Sequence, residues 1–566
     1  MDRLPPGWIL LLGGLVAPLV PRRARPVWLL LVPVLSGAHL WTIASGVRVA
    51  VVWLGFDLTP VRVDPLSLPF GVVFHLAALL AVIYALHVDD LVQQAAGLIY
   101  AGAAIAAVFA GDLFTLFVYW ELVAVASTAL VWAARTPRAQ GAGFRYLTMH
   151  IGSGALLLAG AALQWRATGS LAFEGMRLGT PGAGLILAGF GIKCAFPLLH
   201  SWMQDAYPAS TVTGTVFLSV FTTKLAVYAL ARGFAGSPIL IGIGAVMTAF
   251  PIFYAVIEND LRRVLAYSLN NQLGFMVVGI GIGTTTALNG AIAHAFSHVL
   301  YKSLLFMSMG AVLYRTGTIK ASELGGLYKS MPWTTVFCIV GAASISGVPL
   351  FSGFVSKSLI MSAAADGHMI VTWLVLVFAS AGVFHHSGIK IPFFAFFAHD
   401  SGIRCREAPL NMLIAMGAGA AACVLIGVAP GLLYDLLPFP ADYRPYTTSH
   451  VVGQTQLLFW SGLAFAWLLR TGLYPKELPA VNLDSDWLYR RLAPGVIRAA
   501  VTRWERARAG VLDLARRIAA PVVNGVYRHV SGSGFLARSF PPGSAVLWVV
   551  LLLSVFLLAF FRRGLP

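Results

Sequence analysis

Sixteen predominantly apolar stretches run through this chain, most of them near the ~20 residues a helix needs to cross a bilayer. They lie at about 7–20, 27–47, 66–87, 92–111, 113–133, 146–166, 183–203, 210–232, 237–257, 264–284, 287–313, 332–362, 370–398, 409–430, 453–470 and 543–561, separated by Gly, Pro or charged breaks. Such helices would absorb nearly all of the 58% of the 566 residues that are hydrophobic, and only 11% are charged. Soluble domains carry roughly 25% charged residues, so a soluble enzyme is excluded. The pattern predicts an all-α polytopic membrane protein.

Charge then orients the chain. There are 39 Lys and Arg against 22 Asp and Glu, a net +17. Most of the basic residues fall in loops after odd-numbered runs, among them Arg22, Arg23, Arg135, Arg145, Arg262, Arg263, Arg315 and Arg404. Positive loops stay cytoplasmic, which puts the N-terminus outside and makes lipid, not nucleic acid, the expected partner of the excess charge. The first run lacks a small-residue cleavage site and is expected to be a retained helix. The four cysteines are scattered without CxxC spacing, so neither disulfides nor a cysteine metal site is expected. Residues 476–540 are basic and amphipathic, a pattern that suits a helix lying in the membrane interface or along a neighbouring subunit.

In such a chain the informative residues are ionisable groups inside apolar runs, because each is costly there and normally faces protein or a wet pathway. Glu121 stands in LFTLFVYWELVAVASTALVW, near the bilayer midplane. Lys193 lies four residues before Pro197, which weakens the helix beyond it. Lys224 is too central in its run to reach a headgroup comfortably. His294, His298 and Lys302 follow one another at i, i+4 and i+8 on one face. Two histidines at that spacing need further ligands to hold a metal, and the lysine beside them opposes a divalent cation. Haem ligands would approach from opposite faces. No metal or cofactor is therefore expected, and imidazoles in this setting suit proton relay or satisfied core packing. Lys357 adjoins a run interrupted by Gly347, Pro349 and Gly353, while Lys390 precedes Pro392 close enough to a helix end for snorkelling to rival a buried role. Paired interrupted helices in the two halves point to an inverted-repeat transporter. The second half offers no carboxylate matching Glu121, only Asn270, Asn271 and Gln272.

Taken in order, WEL at Glu121, GIKCAFPLLHSWMQDAYPAS, TTK at Lys224, NDLRRVLAYSLNNQLGF, HAFSHVLYKSLLF and GVPLFSGFVSKSL resemble the antiporter-like subunits of respiratory complex I, membrane-bound hydrogenases and Mrp-type cation/proton antiporters. GIKIPFFAFFAHDSG resembles the Mrp D subunit most. The resemblance implies about 14 core transmembrane helices in two inverted five-helix repeats with broken helices (91–235 and 236–400), after N-terminal helices at 1–90. Core helices at 401–475, the basic interfacial segment 476–540 and a last span at 541–566 then follow. It implies that Glu121 and Lys193 form the coupled pair of one half-channel and that Lys224 bridges toward the second. His294, His298 and Lys302 become a relay and Lys357 its continuation, with Lys390 a further candidate. The implied function is a proton-translocating, non-enzymatic subunit of a multisubunit monovalent cation (Na⁺)/proton antiporter, working with other membrane subunits in a prokaryotic inner membrane, with the exchanged cation left open. Coupling to a redox or inorganic-carbon partner is the alternative, and a non-transporting scaffold the third reading. The chain has no phosphate loop or dinucleotide fingerprint, so the driver is expected in a partner or an ion gradient.

Overall fold

The computed structural model describes residues 4–43, 45–475, 477–478, 482–538 and 541–562; the ends of the basic segment, at Lys476 and Phe540, lie outside them. Each of the sixteen apolar runs forms helix. In chain order these are α1 (Trp8–Val16), α2 (Arg25–Thr42), α3 (Ser67–Ala85), α4 (Leu91–Val108), α5 (Leu113–Trp132), α6 (Pro137–Thr168), α7 (Ala183–Lys193), α8 (Ser201–Ala209), α9 (Val212–Gly233) and α10 (Ile239–Ile257). They continue as α11 (Leu261–Ile282), α12 (Thr285–Thr316), α13 (Pro332–Ser346), α14 (Ser352–Asp366), α15 (Ile370–Phe397), α16 (Leu410–Val428) and α17 (Thr448–Arg470). Among the described residues, eleven helices are long and apolar enough to cross a membrane. The chain is an integral membrane protein.

Two of the runs are broken. The stretch 183–203 is α7 and α8, and 332–362 lies within α13 and α14. The two breaks are built alike. Ala195-Phe-Pro-Leu-Leu-His200 and Gly347-Val-Pro-Leu-Phe-Ser352 share Pro-Leu at the same step. Ala195 and Leu198 have φ of 61° and 69°, and Gly347 and Leu350 have φ of 72° and 74°. The amides of Phe196 and Val348 each donate back five residues, to Gly191 at 2.9 Å and Ala343 at 3.0 Å. That bond closes a helix C-terminus through a left-handed residue. Leucine in this region carries roughly 1–2 kcal/mol of steric cost, so both breaks hold strained backbone in the same place.

One element departs from the all-helical expectation. Strands β1 (Arg48–Trp53) and β2 (Phe56–Arg62) form an antiparallel hairpin with Trp53 opposite Phe56. Its two-residue turn is Leu54-Gly55, both at positive φ (51° and 82°), which matches the twist of the flanking strands. The stretch is too short and too rich in valine to form another spanning helix.

Residues up to Asp486 form one compact unit, in which α9 and α12 are the most deeply buried spans. Residues from Trp487 onward form a second. Within it, α18 (Ala493–Val530) is a 38-residue amphipathic helix, about 57 Å long, and α19 (Pro542–Arg562) is predominantly apolar.

Candidate functional site

The ionisable side chains singled out in the sequence line up through the interior of the first unit. On α5, Glu121 is half-buried and faces Gly154 of α6; a Cβ on that glycine would sit 1.5 Å from Glu121 Oε1. Glu121 Oε1 has no hydrogen-bond partner among the described residues. Lys193, the last residue of α7, is fully buried and donates to the carbonyl of Trp120. Its ammonium also lies over the Trp120 ring, 4.4 Å from the centroid. Trp120 is itself fixed, donating at 2.9 Å to Ser153 Oγ, which donates at 2.7 Å to the Gly189 carbonyl. Glu121 and Lys193 are thus electrostatic neighbours, with the Lys193 hydrogen bond going to Trp120.

The chain of groups continues on α9. Lys224 is fully buried and donates to the Ser219 carbonyl at 2.5 Å, with Cys194 beside it. Across from it on α12 stand His298 and Lys302, both fully buried. Neither His298 nitrogen, nor Lys302 Nζ, has a hydrogen-bond partner among the described residues. One turn along α12, His294 Nε2 lies 3.1 Å from Gln272 Oε1, and its Nδ1 lies 3.1 Å from Ser356 Oγ on α14. The Tyr301 hydroxyl donates to the same Gln272 oxygen at 3.2 Å. Lys357 follows on α14, donating at 3.1 Å to the Ile345 carbonyl at the C-terminal end of α13. Helix C-termini carry partial negative charge, so the break offers this ammonium a ready acceptor.

Lys390 resolves in favour of burial over snorkelling. Its side chain is fully buried and its Nζ donates to the carbonyls of Ala255, Val256 and Glu258 at 3.2, 2.6 and 2.7 Å. It also pairs with Glu477 Oε1 at 2.9 Å.

Three groups escaped the sequence reading. His150 on α6 is fully buried near Lys193 with neither nitrogen partnered among the described residues, its ring 4.1 Å from that of Tyr146. His386, on α15, is fully buried and sits within electrostatic reach of Lys302, Lys357 and Lys390. Its Nδ1 lies 2.8 Å from Ser387 Oγ, which donates at 2.7 Å to Ser268 on α11. Glu477 is the third. A polar residue in an apolar run signals the two histidines, whereas Glu477 lies in a loop that carries no such signal.

Chemically, the arrangement is a row of groups able to take and give protons, set in apolar protein, in which Lys390 is ion-paired with Glu477. Residues 110–382 match the family described as NADH:quinone oxidoreductase/Mrp antiporter, transmembrane. That segment, just under half of the chain, is what the family model matches. It is 30% identical over 311 residues to the D subunit of the Na(+)/H(+) antiporter of Alkalihalophilus pseudofirmus, covering 51% of this chain and 62% of that one. The chain spans about three fifths of the length of the curated relatives it matches. A chain of an archaeal membrane-bound sulfane sulfur reductase superposes with a TM-score of 0.71 at 22% identity, covering 99% of this chain and 100% of that one. One in respiratory complex I from Thermus thermophilus gives 0.67 at 25% identity, with 76% and 99% covered. Both shared folds belong to subunits of multisubunit membrane complexes.

Proposed function

We propose that this chain is a proton-translocating membrane subunit of a multisubunit monovalent cation/proton antiporter in a prokaryotic cell membrane. It is a transporter component, not an enzyme, and other membrane subunits are its partners. The observation that carries the reading is the pair His298 and Lys302: fully buried, adjacent to Lys224, and unpartnered among the described residues. A structural polar network would pair such groups, since an unsatisfied buried donor costs about 1–3 kcal/mol, and more when charged. A relay needs them free to exchange protons with water or with one another.

In this reading Glu121 and Lys193 act as the switch. Desolvation and mutual attraction pull in opposite directions on both groups, so a movement of either one changes the other's hold on its proton. A proton released by Lys193 passes by way of Lys224 to Lys302, His298 and His294, and from there to Lys357 or, through His386, to Lys390.

The test is Glu121→Gln in the assembled complex, with ΔpH followed in everted vesicles. The expected result is loss of most proton movement with assembly intact; unchanged flux would contradict the reading. A second reading, coupling to redox chemistry in a partner, is favoured by the likeness to the sulfane sulfur reductase chain, which runs on through Trp487 and beyond. Proton movement that depends on Na⁺ supports the first reading, and movement that depends on an electron donor supports the second.

A further inference from the structure

After α17 the described residues between Tyr474 and Asp484 form a strap against groups flanking Arg262 and Arg263, Glu258 and Tyr267 among them, on the side that the arginine bias assigns to the cytoplasm. Four side chains pin this strap. The Tyr474 ring packs 5.2 Å from Phe465 and 5.5 Å from His385. Glu477 reaches Lys390. Asn482 donates to Glu258 Oε2 at 3.3 Å. Asp484 accepts from the Tyr267 hydroxyl at 2.7 Å and lies 3.2 Å from His200 Nε2. All four anchors are within the first compact unit.

Glu477 is the unusual member. A loop glutamate normally points to water, yet this side chain is only 6% exposed. Its Oε2 has no hydrogen-bond partner among the described residues. Its ion-pair partner is the most distal lysine of the buried row. That lysine already has three neutral carbonyl acceptors, so the carboxylate is not needed to satisfy its donors. What the carboxylate adds is a group that can take the proton. Burial pushes the Glu477 carboxyl above the ordinary carboxylate range, with Lys390 drawing it back and Glu258 adding to the rise. A carboxyl so placed is better matched to proton exchange near neutrality than an exposed one.

We propose that Glu477 is the proton-transferring carboxylate at the cytoplasmic end of the second half, delivered by the strap and not by a membrane helix. This rests on the proton-translocation reading above. In the step, an N–H bond of Lys390 breaks and an O–H bond forms on Glu477, so the ammonium–carboxylate pair becomes an amine and a carboxylic acid. The acid then loses its proton to water at the cytoplasmic face, and Lys390 is recharged from the relay. The reverse order carries protons the other way. Asn482 and Asp484 are positioning residues that hold the strap in register.

The experiment measures initial proton-movement rates over a range of pH in everted vesicles containing the whole complex. Parent, Glu477→Gln, Glu477→Asp and Glu121→Gln are compared, with assembly checked on native gels. Gln keeps an acceptor for Lys390 but cannot take the proton, so Glu477→Gln is expected to slow transport at least about tenfold. Glu477→Asp is expected to keep measurable transport with a displaced pH profile, a readout that a merely structural role would not move. A Gln variant within about twofold of the parent overturns the proposal, the loss expected being at least tenfold. An Asp variant whose pH profile superimposes on the parent's overturns it as well, and decides the matter alone if the Gln complex fails to assemble. If Glu121→Gln is silent too, the translocation reading falls. If Glu121→Gln abolishes transport while Glu477→Gln does not, only the assignment of Glu477 falls.

Discussion

The two halves of the buried row share a backbone device and differ in where their charges come from. Each half breaks a helix at Pro-Leu, with the same left-handed positions and the same five-residue closing bond. In the first half, Lys193 ends the leading half-helix and reaches across to α5. In the second, Lys357 sits on the trailing half-helix and reaches back to the end of the leading one. The first half carries its carboxylate, Glu121, on a spanning helix next to a glycine. The second has amides at the equivalent stretch of α11, and the carboxylate beside its distal lysine comes from the loop after α17. The difference teaches that the break is the piece repeated within this chain, while the acid can be supplied from whatever segment reaches the site.

The two glycines that frame these sites offer the sharpest way to break the comparison. A Cβ at Gly353 would lie 1.8 Å from the Ser344 backbone carbonyl, an atom that cannot move without opening the junction of α13 and α14. Gly353→Ala is therefore expected to cost at least about 3 kcal/mol and to deplete folded protein in the membrane, measured as yield and thermal stability in detergent. Normal yield would show that the second break tolerates rearrangement.

Gly154→Ala is expected to act differently. The new methyl meets only the end of the Glu121 side chain, which can swing away. Folding and assembly should persist while transport falls by up to about a hundredfold, the loss that displacing a reacting group by about 1 Å can cause. A parent-like rate would mean that the position of Glu121 is not critical, and the contrast between the two glycines would lose its functional half.

Much of this architecture was legible in the sequence because hydropathy reports a local quantity, the cost of placing one helix in lipid. Every apolar run became helix, and Pro197 and Gly347-Pro349 marked the breaks. The repeated Pro-Leu step was present as well, a signal of internal symmetry that the lysines alone only suggested. Buried lysines were legible for local reasons as well: Lys224 is too central to snorkel, and Lys302 shares a face with His294 and His298. What could not be read was anything set by return of the chain. The hairpin at 48–62 depends on its two strands pairing, with Gly55 accepting the turn. The fate of Lys390 depends on a strap distant in sequence, and a loop glutamate has no pattern to distinguish it from a solvated one. His386 was visible beside Lys390, but only the fold brings Ser268 and Lys302 to it.

If the fully buried groups between the halves carry protons, Lys224, where the halves meet, is the residue whose loss must show it. Lys224→Met keeps the length and apolar body of the side chain and removes only the exchangeable charge. The measurement is the initial rate of proton movement in vesicles that hold the assembled complex, with complex content quantified in the same membranes. A loss of about a hundredfold, the contribution of a positioned proton-transfer group, is expected at unchanged complex content. Transport at the parent's rate with Met at this position would contradict proton transfer through these groups.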